Sequence, residues 1–194
     1  REPSDKGQKD IRKACVAALN IRIEDRDLRR EVRSFQEEIL ANVEDKAGHV
    51  PAILGLGTLA KAGDPEALVS LGKVLERRSE YGSTEAVAAI DSIAYLGGRE
   101  AIQGILAYID AKDVPFAEHV WRKLVNLHKG QSPDLLEWSL GRILDRAFKE
   151  DKPELARLAL RLLAEPELAP LISVERANSG LPGEIMAFWN TMLF

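Results

Sequence analysis

The sequence predicts an all-α fold: a right-handed α-α superhelix, or solenoid, of about four helix pairs with a helical cap before them and a short closing helix after. Three observations predict it. Anchors of similar text recur every 34 residues: Gly63-Asp64-Pro65-Glu66-Ala67-Leu68, Gly97-Gly98-Arg99-Glu100-Ala101-Ile102, Gln131-Ser132-Pro133-Asp134-Leu135-Leu136 and, most weakly, Glu165-Pro166-Glu167-Leu168-Ala169-Pro170. Apolar residues flank each anchor at helical spacing. No stretch alternates β-branched with polar residues as a strand would.

Before the anchors, Ile53, Val87, Trp121 and Leu155 stand one period apart, as do Leu56, Ile90, Leu124 and Leu158. Leu59, Ile93 and Leu127 continue the pattern, and Arg161 breaks it in the fourth copy. After the anchors come Leu68, Leu71 and Leu75, then Ile102, Ile105 and Ile109, then Leu136, Ser139 and Ile143. Each unit therefore reads as two amphipathic helices joined by a short turn. Gly63 and Gly97 fall where a helix stops, because glycine tolerates the left-handed conformation. Asp64 and Ser132 suit the N-cap, with Pro65 and Pro133 at the first helical position. Pro51, Pro115 and Pro153 precede or open first helices in the same way. Helix pairs this short bury their apolar faces only by stacking on neighbours.

The segments outside the repeat divide the chain into residues 1–48, 49–178 and 179–194, read as one continuous structural domain. Ile11, Ala14, Cys15, Ala18 and Leu19, then Leu28, Val32, Phe35, Ile39 and Leu40, give a helical pair without the anchor, as a cap requires. Asn178 to Gly183 reads as a loop before an apolar helix carrying Met186, Phe188, Trp189, Met192 and Phe194. That helix covers the last repeat or forms an interface with a partner or a second copy.

The text Leu59-Ala60-Lys61-Ala62-Gly63-Asp64-Pro65-Glu66-Ala67-Leu68, with its counterpart Ile93 to Ile102, resembles short HEAT-like repeats of the bacterial kind. The resemblance spans about two thirds of the chain and is strong in the first two copies. A period of 34 is also the tetratricopeptide length, and Ala67, Leu71 and Val74 are similar to that repeat's second helix. Leu135, Ser139 and Arg142 depart from it, so the HEAT-like reading is preferred. Either resemblance implies a protein-binding scaffold, by analogy of fold alone.

Composition excludes several classes. Formal net charge is −4, which disfavours a general nucleic-acid binder. The cluster Arg22, Arg26, Arg29, Arg30 and Arg33 is interleaved with Glu24, Asp25, Asp27 and Glu31, so it reads as a solvated, salt-bridged face. One cysteine, Cys15, leaves no disulfide framework and no Cys-cluster zinc site. It fits a reducing compartment, and a cytoplasmic location is expected, with an exported chain as the alternative. The longest apolar run, Val50 to Ala60, is too short to span a membrane and contains Pro51, Gly55 and Gly57.

No constellation supports catalysis, a metal or a cofactor. His119 follows Glu118, but helical-repeat metal hydroxylases need several His-Glu pairs. His128 reads as a partly buried helix-end residue, and His49 opens the first repeat. Leu54-Gly55-Leu56-Gly57-Thr58 has no strand before it, so its glycines read as close helix packing rather than a phosphate loop. The acid pairs Asp110/Asp113 and Glu150/Asp151 read as helix-end residues.

The remaining reading is a non-enzymatic module that docks a protein or peptide on the second helices of the repeats. The outward positions are Ser70, Lys73 and Arg77, then Gln103, Gly104 and Ala107, then Glu137, Trp138 and Gly141. Trp138 is the anchor candidate, because large aromatics dominate binding hot spots. Gly104 and Gly141 would leave a groove beside it, with Lys73, Arg77 and Gln103 on its flank. A packing role for Trp138 between repeats is the alternative. No nucleic acid and no membrane insertion are expected, and the chain is read as a monomer or weak homodimer. A structural subunit joined through the C-terminal helix, or a lyase of the kind that attaches bilin pigments, are the other readings.

Overall fold

The computed structural model describes residues 26–42, 46–109 and 112–171. Every regular element among them is helical. The chain divides into two compact units, Arg1–Lys123 and Leu124–Phe194. The expected helix over residues 10–19 and the apolar helix after Gly183 lie outside the described residues.

The first unit opens with α1 (Arg26–Ala41), a short 3₁₀ turn (Lys46–Gly48) and α2 (His49–Lys61). It continues with α3 (Pro65–Glu76), a single turn α4 (Arg78–Tyr81), α5 (Ser83–Leu96) and α6 (Gly98–Leu106). Helix α7 (Val114–His128) begins in this unit and contains the division. Helix α1 is strongly amphipathic and buries Val32, Gln36, Ile39 and Leu40. By contrast, α2 is apolar on nearly every side, which is the pattern of a helix surrounded by others. It buries Ala52, Ile53, Leu56, Gly57 and Leu59 and packs against α1, α3 and α5. Helix α5 also packs against α3, α4 and α6.

The turn between α2 and α3 follows the expected chemistry. Gly63 has φ 90°, and the Gly63 and Asp64 N–H groups bond to the Ala60 and Leu59 carbonyls at 2.9 and 3.0 Å. That is a Schellman C-cap, and the positive φ is why glycine stands there. Asp64 then caps α3, its Oδ1 accepting from the Glu66 N–H at 3.0 Å, with Pro65 in the first turn. Gly97 and Gly98, both at positive φ, join α5 to α6.

Side chains tie elements about one period apart. Arg29 Nη1 donates to the Ala62 carbonyl at 2.7 Å, and Lys61 Nζ donates to the Leu96 carbonyl at 2.6 Å. Both cations sit at helix C-terminal ends, where the dipole favours positive charge. Tyr108 Oη donates to the Gly72 carbonyl, and Ser70 Oγ to Glu37 Oε1. These four bonds span 33 to 36 residues.

Gly57 marks the closest approach of α2 to α5. A Cβ on it would lie 2.7 Å from Ser92 Cβ and 3.2 Å from Ser92 Cα. The glycines of the Leu54–Thr58 run thus serve helix packing, and Ser92 Oγ donates back to the Ile53 carbonyl at 3.3 Å.

The second unit holds the end of α7, α8 (Pro133–Lys149), α9 (Pro153–Ala164) and a 3₁₀ segment (Pro166–Leu171). Helix α8 packs on α9 through Leu136, Leu140, Ile143 and Leu144 on one side and Leu155, Ala159 and Leu162 on the other. Ser132 precedes α8 as expected, yet its side chain makes no cap bond. Helix α8 ends with Asp151 at φ 50°, the Lys152 N–H bonding to the Ala147 carbonyl at 2.8 Å. This is the left-handed C-cap with aspartate in the usual place of glycine, a conformation Asp tolerates better than most residues. Lys129 pairs with Glu167 at 2.5 Å.

The apolar positions read as one face are buried at Ile53, Trp121, Leu155, Leu56, Ile90, Leu124, Leu59 and Ile93. Val87, Leu158 and Leu127 are half-buried, and Arg161 is exposed.

Candidate partner-binding surface

The proposed docking residues fall on helices of both units. In the first unit, Lys73 and Arg77 lie one turn apart at the end of α3, and both are exposed. Arg77 is committed locally: its Nε and Nη2 donate to Glu80 Oε2 at 3.1 and 2.5 Å, and its guanidinium lies 5.6 Å from the Tyr81 ring centroid. The hydrogen bond from Arg77 holds the Glu80 carboxyl below its usual range, and Glu80 in turn raises Arg77. Gln103 on α6 is exposed.

Two neighbours of this set sit differently from their expected outward positions. Ser70 is buried at 6% exposure, bonded to Glu37 and to the Glu66 carbonyl. Its single hydroxyl hydrogen faces two acceptors, one on α1 and one in its own helix, so a serine that reads as outward in sequence packs inward. Gly104 is half-buried, and a Cβ there would lie 2.7 Å from Ile93 Cγ2. It lets α6 close on α5.

In the second unit, Trp138 on α8 is half-buried with the Arg142 guanidinium 6.0 Å from its ring centroid. Gly141 is exposed, and a Cβ on it would meet nothing within 4 Å. The aromatic ring, the stacked cation and the bare glycine occupy one stretch of α8, at i, i+4 and i+3. Such a surface offers an apolar face, an adjacent fork of donors and room for a partner's side chain. Met186, Phe188, Trp189, Met192 and Phe194 lie outside the described residues.

A further surface was not legible as a site in the sequence. A groove of about 890 Å³ lies between the start of α2 and the α4–α5 junction, lined by Val50, Pro51, Leu54, Tyr81, Thr84 and Glu85 among others. A smaller one of about 440 Å³ lies beside it, between Arg78, Val87 and Phe116. Both border Gly82 and Ser83. The only sequence signal was Gly82, which follows Tyr81 and adopts φ 116°.

The histidines take structural positions. His119 Nε2 lies 2.7 Å from Asp91 Oδ1, which Lys123 Nζ also approaches at 3.1 Å. His128 is fully buried, its Nδ1 donating to the Leu124 carbonyl at 2.8 Å. Burial pushes the His128 imidazole below its ordinary pKa. Among the described residues no three His, Cys, Asp or Glu side chains group to hold a metal ion. No described helix is long and apolar enough to cross a membrane.

No family model, curated protein or solved structure matches this chain.

Proposed function

We propose that the chain is a non-enzymatic interaction module built of HEAT-like repeats, docking a protein or peptide on the outward face of its second helices. Hydrogen bonds spanning 33 to 36 residues support the repeat reading, because elements one sequence period apart are also neighbours in space. The observation that carries the binding reading is on α8: Trp138 with Arg142 over its ring, beside the open surface at Gly141. Large aromatics and arginine are the residue types that concentrate binding energy. In the first unit, Lys73 on α3 and Gln103 on α6 are exposed at the corresponding second-helix positions. The module acts as a monomer or weak homodimer in the cytoplasm, where the single Cys15 stays reduced.

The test is quantitative affinity capture from native lysate with three baits: wild type, Trp138→Ala with Lys73→Glu, and Gly141→Leu. The second variant removes the anchor and reverses a charge. The third fills the open surface and leaves the anchor in place. A protein retained by wild type and lost from both variants, each with unchanged helical circular dichroism, is the expected result. Equal capture by all three baits overturns the assignment of this face.

A further inference from the structure

Helix α2 packs against α1, α3 and α5 and carries a further apolar face. Pro51, Leu54, Gly55 and Thr58 stand at i, i+3, i+4 and i+7, which places them together on that face. One period later, the same four positions on α5 are Glu85, Ala88, Ala89 and Ser92. That is the side of α5 on which α2 lies. His49 Nδ1 is 3.8 Å from Glu85 Oε1, and Ser92 Oγ donates to the Ile53 carbonyl beside Gly57. The four α5 residues are buried, at 7, 9, 0 and 3% exposure. On α2 the face is less completely covered. Pro51 and Gly55 are buried and Thr58 is half-buried, but Leu54 is 48% exposed, where its counterpart Ala88 is 9% exposed. Thr58 Oγ1 donates to the Leu54 carbonyl at 3.2 Å, so the threonine hydroxyl is met within the helix and the face suits an apolar occupant.

The repeat covers such a face with the helix one unit earlier in the chain. Residues 1–25 precede α1, which itself packs on α2, so they are tethered beside this face and belong to the same compact unit. Among them Ile11, Ala14, Cys15, Ala18 and Leu19 recur at helical spacing. Three of these five are small, as Gly57 and Ser92 are where α2 meets α5, and small side chains let two helix axes approach closely. Ten helical residues span about 15 Å, and Pro51 to Thr58 spans about 10 Å, so the lengths match. The stretch from residue 20 to 25 reaches up to about 20 Å when extended, enough to cross the spacing of about 8–10 Å between packed helices.

We propose, from the 34-residue period and independently of docking on α8, that residues 10–19 of the same chain seat their apolar face on Pro51, Leu54, Gly55 and Thr58 of α2. The larger groove shares Pro51 and Leu54 with this face, so its α2 wall is an intramolecular seat and not a partner's.

Cys15 is the only cysteine of the chain, which makes the seat directly readable. Leu54→Cys, Thr58→Cys and, as a control, Val69→Cys on the exposed side of α3 each add one thiol to the full chain. A disulfide forms readily only where the two Cα atoms come within about 7 Å. Each variant is oxidised with diamide at low micromolar protein, quenched in acid and mapped by mass spectrometry without reduction. Linkage of Cys15 to position 54 or 58 within one chain should form at least about tenfold faster than linkage to position 69. Equal rates at all three positions overturn the seat. So does linkage between chains at a rate that scales with protein concentration, which gives the face to a second copy. Alkylation of Cys15 by iodoacetamide serves if a cysteine variant folds poorly. It should be about tenfold slower in the folded wild type than in urea, and Leu54→Glu should restore much of the rate. A Cys15 that reacts equally fast in the folded and unfolded wild type overturns the seat.

Discussion

Two glycines inside helices should respond in opposite directions to the same substitution. Gly57 sits in α2 and Gly141 in α8, and in both the change to alanine removes glycine's penalty in a helix, about 0.8–1.0 kcal/mol. At Gly141 nothing lies within 4 Å of the new Cβ, so the whole gain is expected. At Gly57 the Cβ would lie 2.7 Å from Ser92 Cβ, about 1 Å inside ordinary carbon contact. Ser92 Cα at 3.2 Å is backbone, so relief requires moving α5 away from α2. Overpacking of this kind costs about 1–3 kcal/mol. After the helix gain, Gly57→Ala should lose between about 0 and 2 kcal/mol, and Gly141→Ala should gain about 1. Urea titration followed by circular dichroism reads both. Ser92→Gly in the Gly57→Ala background returns the space, and the cycle should show coupling of about 0.5–3 kcal/mol. If Gly57→Ala stabilises as much as Gly141→Ala, the close α2–α5 contact is not what the glycine serves.

Other expectations follow from single contacts. Asp64→Ala should cost about 1 kcal/mol by removing the α3 cap, whereas Asp64→Asn keeps the cap and loses only the pair with Arg33 at 3.3 Å, so its cost should be smaller in the same titration. Tyr81→Phe should cost about 1 kcal/mol by leaving the Leu40 carbonyl without its donor, and the loss should appear as reduced amide protection in α1. The His128 imidazole is held neutral by burial, its folded pKa lying below the ordinary 6.5. The unfolded chain takes the proton first, so stability is full above about pH 6.5 and falls as pH drops toward the folded pKa, at up to about 1.4 kcal/mol per pH unit. His128→Leu should flatten that part of the stability–pH curve, and an unchanged acid slope in the variant refutes the assignment.

The second-helix positions show how far a repeat can be read as a surface. Lys73, Gln103 and Gly141 are exposed where outward positions were expected. Ser70 and Gly104 stand at positions that the same register marks as outward, yet one is buried against Glu37 and the other closes on Ile93. Both are small, and a small residue carries no sign of which way it faces: a neighbouring helix approaches it as readily as solvent does. Trp138 takes an intermediate position that periodicity alone leaves open between docking and packing.

The sequence by itself determined the helices and their stops. Apolar spacing set which faces turn inward, and Gly63, Asp64 and Pro65 set one turn through backbone preferences that act within a few residues. Only the tertiary structure decided the contacts that join distant residues. The short turn α4 places Tyr81 under α1, Arg29 and Lys61 reach carbonyls 33 and 35 residues away, and His49 faces Glu85 across buried space. None of these has a local signal, because each depends on the distance and angle between two helices rather than on the order of residues within either. The grooves beside Gly82 arise for the same reason, as the space left where the ends of helices meet.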